Sequence, residues 1–259
     1  MTLAYTCAPV YVTEKLYQMG VLRKLLAWLS VLVISLFALV LYLARPFNPD
    51  NNRMLGWVAA RVGRCILGME RPIEGRENMP RDRPTVVIAN HQHNDDLFVV
   101  GDLLPPRTVA VGKSSLVWLP FFGQVFWLGG NVILNRSRSR KAVAAMQLVG
   151  ETIAHDRKSL WVFPEGTRSH GKGLGSFKKG AFYAAIASGA PITMVCASEY
   201  ADKTCGLLGR REPVAIRILP PIETTDLKPG DVPELMERCR SRMAETIASV
   251  TPAPGAGSA

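Results

Sequence analysis

Apolar positions fall into three regimes along the chain. The first is an unbroken run. Leu25 to Ala44, "LLAWLSVLVISLFALVLYLA", contains no charge and is about long enough to cross a bilayer as a helix. Arg23 and Lys24 precede it, and Arg45 and Pro46 close it. The run is too long for a signal-peptide core and lacks a small-residue cleavage site, which favours a retained anchor. The second regime is amphipathic. Between Asn51 and Met69, Leu55, Val58, Val62 and Ile66 recur at helical spacing, with Arg53, Arg61 and Arg64 elsewhere on the surface. That pattern fits a basic interfacial helix and equally an ordinary surface helix. The adjoining anchor tips it toward the membrane.

The third regime, from about Arg71, alternates strand and helix. "PTVVIAN" reads as a strand, "DLFVVGDLL" as a helix and "RTVAVG" as a strand. "NVILNR" is a strand, and Arg138 to His155 a long helix. "SLWVF" is a strand, "FKKGAFYAAIASG" a helix and "PITMVCA" a strand. "VAIRILPPI" is another strand, and Val232 to Val250 a closing helix. Such alternation predicts an α/β domain, with a largely parallel or mixed sheet flanked by helices. The expected organisation is membrane-anchoring helices over 1–70, the α/β domain over 71–250 and a flexible tail over 251–259.

Charge adds a surface to this picture. The net charge is +10, and the excess lies outside the apolar run, in Arg136 to Lys141, Arg168 to Lys179, and around Arg210, Arg211 and Arg217. Beside an anchor, this predicts contact with an anionic membrane surface, with the bulk of the chain on the cytoplasmic side. No helix-turn-helix or zinc-finger signature supports nucleic acid as the partner. The five cysteines are scattered, with no C-x-x-C pair, which agrees with a reducing compartment.

In sheets of this kind, functional groups gather at the carboxyl ends of strands. Three polar clusters sit at such ends: "NHQHNDD" after "VVIA", "NRSR" after "VIL" and "PEGTRS" after "LWVF". In the first, His91, His93, Asp95 and Asp96 fall within six residues of a chain that has four histidines in all. His91 and Asp96 meet only if His91 lies in the turn before the helix. Asn94 is the expected N-cap, placing Asp95 and Asp96 in the first turn, where N–H groups and the helix dipole keep a carboxylate anionic. Such a carboxylate accepts from one imidazole nitrogen and leaves the other as a base. This is the arrangement of a Ser-His-Asp triad without the serine, so the nucleophile would be a substrate hydroxyl. Two plainer readings stay open: an acidic helix start with an incidental histidine, and a metal site using His91, His93 and Asp95 or Asp96.

In the cluster after "LWVF", Glu165 and Gly166 form a tight turn with Thr167, and Arg168 is presented beyond it. A guanidinium matches phosphate oxygens. Glu165 could anchor a hydroxyl or hold the arginine. Arg136, ending a strand, and Lys113 in "VGKSSL" could reach the same crevice, and each could equally be a solvated surface charge. The segment Ser114 to Gly130 is rich in leucine and aromatic residues. It reads as core or as a slot for an alkyl chain.

"NHQHNDD", "GGNVILNR", "FPEGTRS" and "APITMVCAS" resemble, in order and spacing, the four signature blocks of the glycerolipid acyltransferases. The stretches between them look closest to the bacterial members that act on 1-acyl-glycerol-3-phosphate. The resemblance covers Thr85 to Pro221. It implies an enzyme of the bacterial inner (cytoplasmic) membrane, its catalytic domain facing the cytoplasm. That enzyme would pass an acyl group from acyl carrier protein or coenzyme A to the 2-hydroxyl of lysophosphatidic acid. It implies His91 as general base and Asp96 as the residue that orients it. Arg168 would bind the acceptor phosphate, helped by Lys113 and Arg136. Glu165, Gly166 and Thr167 would form the acceptor-binding turn, and the aromatic slot would measure the acyl chain. It implies no metal or redox cofactor, the thioester being a co-substrate. Many members carry serine where this chain has His93, and an apolar or aromatic residue where it has Asp95. Another lysophospholipid as acceptor is the main rival within enzymes. A basic binding protein would not explain three polar clusters at strand ends, and a hydrolase would want the absent G-x-S-x-G.

Overall fold

The computed structural model describes residues 8–134, 139–201 and 213–252. Two long helices come first. Helix α1 spans Ala8–Ala44 and α2 spans Asp50–Leu67. Within α1, the 26 residues Met19–Ala44 are long and apolar enough to cross a membrane. One side of α1 is nonetheless packed: Ala27, Val31, Ser35 and Tyr42 are buried. Its other side is bare, with Phe37 73% and Val40 70% exposed. Helix α2 carries small residues where it meets the domain. A Cβ at Gly63 would lie 2.2 Å from Phe98 Cδ1, and one at Gly56 would lie 2.3 Å from the Gly101 carbonyl oxygen. Gly68, at φ 64°, closes α2 in the left-handed conformation that glycine adopts without a Cβ penalty.

Seven strands follow among the described residues: β1 (Ile73–Glu74), β2 (Val86–Ala89), β3 (Thr108–Lys113), β4 (Val132–Leu134), β5 (Ser159–Val162), β6 (Ile192–Ala197) and β7 (Ile216–Ile218). They form one sheet in the order β1-β7-β6-β2-β5-β3-β4. Every pairing is parallel except β6 with β7, so the sheet is mixed. The remaining helices are α3 (Asp96–Val100), α4 (Phe122–Leu128), α5 (Ser139–His155), α6 (Gly180–Ser188) and α7 (Val232–Val250). Helices α5, α6 and α7 and the strand spans β2, β5 and β6 match the expected elements closely. Strand β1 was not foreseen. It is two residues long, below what an apolar pattern can signal.

Side-chain alternation along β2 builds two cores. Val86 and Ile88 join Met146 of α5, Phe182 of α6 and Leu235 and Met243 of α7. Val87 and Ala89 point the other way, onto Val99 and Val100 of α3. Strand β2 is buried throughout because it lies between β5 and β6 and under helices on both faces, the usual position of a parallel central strand. A third cluster, with Ala27, Val31, Ala59 and Phe98, joins α1 and α2 to α3. Asp102 fastens the same junction. It accepts hydrogen bonds from Arg64 at 2.7 Å and Arg71 at 2.6 Å. Burial alone would raise the Asp102 carboxyl, but the two guanidiniums outweigh it and hold it below the usual carboxylate range.

Candidate active site

Strands β2 and β5 are parallel neighbours, with Ile88 opposite Val162. Their carboxyl ends therefore open side by side, and "NHQHNDD" faces "FPEGTRS". The two loops are bonded to each other. Ser169 N–H donates to the His91 carbonyl at 2.8 Å, and His170 N–H to the Gln92 carbonyl at 3.1 Å.

His91 lies in the turn before α3 and meets Asp96, at the start of that helix. Nδ1 is 2.6 Å from Asp96 Oδ2. A carboxylate only accepts, so Nδ1 carries the proton and Nε2 is the basic nitrogen. The imidazole stacks on Phe163, the rings 4.1 Å apart and 15° from parallel, which fixes the ring plane as the hydrogen bond fixes its rotation.

Asp96 is buried and its charge is met by donors. Oδ2 also accepts from the N–H of Gln92 at 2.8 Å and of His93 at 3.3 Å. Oδ1 accepts from the Tyr200 hydroxyl. The expected cap is corrected here. Asp95, not Asn94, takes the N-cap position, with no side-chain cap bond. The N–H groups that meet Asp96 belong to the turn before the helix, because the carboxylate folds back over that turn. A helix of five residues has little dipole to offer.

Glu165 is buried, and both of its carboxylate oxygens accept from backbone N–H groups. Oε1 accepts from His91 N–H at 2.7 Å and Oε2 from Gly175 N–H at 2.9 Å. It is a brace between the loops after β2 and β5. Burial raises its carboxyl above the usual range, against the pull of those two N–H donors. Gly166 makes the turn that lets the chain fold over this brace, at φ 70°. Thr167 and Arg168 lie beyond it, both exposed. Lys113 ends β3, beside β5, and is exposed at the same end of the sheet. Arg136 lies outside the described residues.

Ser114 to Gly130 is packed on one part and exposed on another. Val125 and Leu128 pack against Tyr42 of α1, while Trp118 is 84% and Trp127 50% exposed. Among the described residues no group of three or more His, Cys, Asp or Glu side chains is placed to hold a metal ion; His91 pairs with Asp96, and His93 lies 3.1 Å from Asp95.

Sequence reasoning missed three supports. Asn90 forms two hydrogen bonds with Ala197 of β6, both at 2.9 Å. Gln92 donates to the Ser198 carbonyl at 2.8 Å and accepts from Tyr200 N–H at 2.9 Å. Tyr200 reaches Asp96. A signal existed: β6 also runs parallel to β2, so the residues just past Ala197 had to reach the same crevice.

Residues 70–198 match the family model described as Acyltransferase. The chain is 36% identical over 234 residues to the 1-acyl-sn-glycerol-3-phosphate acyltransferase of Escherichia coli (strain K12), covering 89% of this chain and 94% of that protein. To the enzyme of the same name from Salmonella typhimurium it is 34% identical over 230 residues, with the same coverage. To 1-acyl-sn-glycerol-3-phosphate acyltransferase alpha of Homo sapiens it is 32% identical, over 85% of this chain and 78% of that one. The crystal structure of the 1-acyl-sn-glycerophosphate (LPA) acyltransferase PlsC from Thermotoga maritima superposes with a TM-score of 0.66. It covers 90% of this chain and all of that one at 22% identity, which supports the fold. An α/β sheet with a histidine and a carboxylate at the mouth of its central strands is the frame of an acyl-transferring enzyme. The chain belongs to the acyltransferase family.

Proposed function

We propose that this enzyme transfers a fatty acyl group from a thioester to the 2-hydroxyl of lysophosphatidic acid, giving phosphatidic acid. The observation that carries the reading is the His91–Asp96 pair held at the carboxyl ends of two parallel strands, β2 and β5. His91 Nε2 takes the proton of the substrate hydroxyl as its oxygen attacks the thioester carbonyl. The tetrahedral intermediate collapses, the C–S bond breaks, and the thiol leaves with the proton held on the imidazolium. Asp96 offsets the imidazolium charge while it exists. Joining two bound substrates supplies much of the remaining rate.

The exposed Arg168, with Thr167 beside it and Lys113 one strand over, receives the acceptor phosphate, and Arg136 is assigned to help. Gly166 shapes that turn, and Glu165 holds it to the catalytic loop. Acyl carrier protein or coenzyme A serves as thiol carrier, and the reaction needs no further cofactor. Helix α1 associates the enzyme with a membrane through its bare face. The domain packs against α1 from Ala27 to Tyr42, so lipid meets one side of the helix only. The bacterial inner membrane, with an anionic surface and the catalytic domain on the cytoplasmic side, fits this chain's net charge of +10.

The test is phosphatidic acid formation by detergent-purified protein. Lysophosphatidic acid is supplied with acyl carrier protein and, separately, coenzyme A thioesters, beside lysophosphatidylcholine and lysophosphatidylglycerol. Product from lysophosphatidic acid with wild type, and none with His91→Ala, is expected. Preference for a diester acceptor would refute the assignment.

A further inference from the structure

The pair His93 and Asp95 is not used by the chemistry above, and its surroundings give it a different task. Asp95 is fully buried although it sits next to Asp96 in the catalytic turn. Its partners come from α1. Lys24 Nζ lies 3.1 Å from Oδ2, and Trp28 Nε1 donates to Oδ1 at 3.1 Å. His93 Nδ1 lies 3.1 Å from Oδ2. Lys24 and Trp28 are four residues apart and so share one face of α1, the face that buries Ala27 and Val31. The Trp28 ring stands edge-on to Phe98 of α3, centroids 5.1 Å apart.

We propose that Asp95 is a positioning residue that ties the catalytic turn to α1, so that the seating of the membrane helix sets the aim of His91. A buried carboxylate holds its place only with its charge met, so the turn cannot keep this position unless Lys24 and Trp28 are presented to it. Asp95 and Asp96 are consecutive, and the Asp95 carbonyl accepts from the N–H groups of Phe98 and Val99, the first bonds of α3. A shift of Asp95 therefore moves Asp96, and Asp96 sets the imidazole. Small displacements of a positioned base cost large factors in rate. The proposal rests on His91 acting as the base.

The experiment uses the full chain in detergent or lipid, labelled with 5-fluorotryptophan. The Trp28 fluorine resonance is assigned by its loss in Trp28→Phe. Asp95→Asn should shift that resonance and lower kcat roughly 10- to 100-fold, a displacement of the base well under that which abolishes activity. KM for the acceptor should stay within a few-fold of wild type. Lys24→Met should behave alike, Lys24→Arg should recover most of kcat, and the double variant Lys24→Met/Asp95→Asn should be no worse than either single change. If Asp95→Asn fails to fold, Lys24→Met carries the same readout, and Trp28→Phe carries the kcat measurement alone. Wild-type kcat in folded variants whose Trp28 resonance has moved would overturn the proposal, as would a loss confined to KM. Failure of the acylation reading looks different: wild type itself would make no product, while Asp95→Asn would still move the Trp28 resonance.

Discussion

Tyr200→Phe isolates one contact of the catalytic carboxylate. Tyr200 is 4% exposed and packs in the cluster that holds Val87, Ala89 and Val99, so phenylalanine fills the same volume and the fold is retained. What is lost is the hydroxyl that donates to Asp96 Oδ1. A hydrogen bond to a charged group contributes about 1.5–3 kcal/mol. Asp96 keeps its other donors, His91 Nδ1 and the N–H groups of Gln92 and His93, all on Oδ2. Only part of the loss therefore reaches the transition state, as a looser imidazole and a less firmly held carboxylate. About 1–2 kcal/mol of barrier corresponds to roughly a 5- to 30-fold fall in kcat. The hydroxyl bonds Asp96 on the oxygen that His91 does not use, so KM for lysophosphatidic acid should hardly change. Initial rates of phosphatidic acid formation over a range of acceptor give both constants. An unchanged kcat in a folded variant would refute this account of Asp96. A loss as large as that of His91→Ala would also refute it, since Tyr200 would then have to act on the reacting atoms.

Four further outcomes are expected. His91→Ala should lose about 10²- to 10⁴-fold in kcat, the usual contribution of a general base, while His93→Ala keeps substantial activity; the reverse order in purified variants would exchange their roles. Arg168→Ala should raise KM for the acceptor about tenfold or more, the scale of one charged hydrogen bond, with Arg168→Lys recovering part of it in the same rate assay. Glu165→Gln should lower the melting temperature and kcat together, because an amide can accept from only one of the two N–H groups that Glu165 now serves, and the other is left facing a donor. Burial holds the His93 imidazole below its usual pKa, Asp95 pulling it up, Lys24 and His170 pushing it down and Asp96 pulling it up. The unfolded chain then binds the proton first, near pH 6.5. Its contribution to stability is complete above that pH and is lost as pH falls toward the folded value. Melting temperatures at pH 5 and 7.5 should differ less in His93→Gln than in wild type.

The long elements were legible because their patterns are long. Helices α5 and α7 and strands β2, β5 and β6 follow from periodicity and from apolar runs closed by polar clusters. The pairing of His91 with Asp96 was legible from spacing alone, since five residues place the two together only across a turn. The details of that turn were not. Asn94 is a favoured capping residue by type, yet Asp95 occupies the cap because its carboxylate is drawn out toward α1, a partner 67 residues away. Glu165 read as an anchor for a hydroxyl or a brace for Arg168. The partners the structure gives it are backbone N–H groups, which no sequence pattern records. Trp118 and its neighbours read as core or as a slot for an alkyl chain, because apolar and aromatic residues are usually covered. Their exposure depends on how α4 is set against α1, a matter of tertiary packing.

Two consecutive carboxylates serve opposite directions here, and the geometry of the turn explains how. In a regular helix neighbours diverge by about 100°, so Asp95 and Asp96 face different sides at the start of α3. Asp96 folds back over the loop to reach His91, and Asp95 goes outward to Lys24 and Trp28. Two buried like charges so close would repel strongly in a low-dielectric interior. Each is instead met by its own donors: N–H groups, a hydroxyl and an imidazole for one, an ammonium and an indole for the other. That separation keeps the Asp95 tether from competing for the proton chemistry of His91. It also makes the turn sensitive to α1: a change that withdraws Lys24 leaves two buried carboxylates with one cation fewer, and the least costly response is for the turn to move.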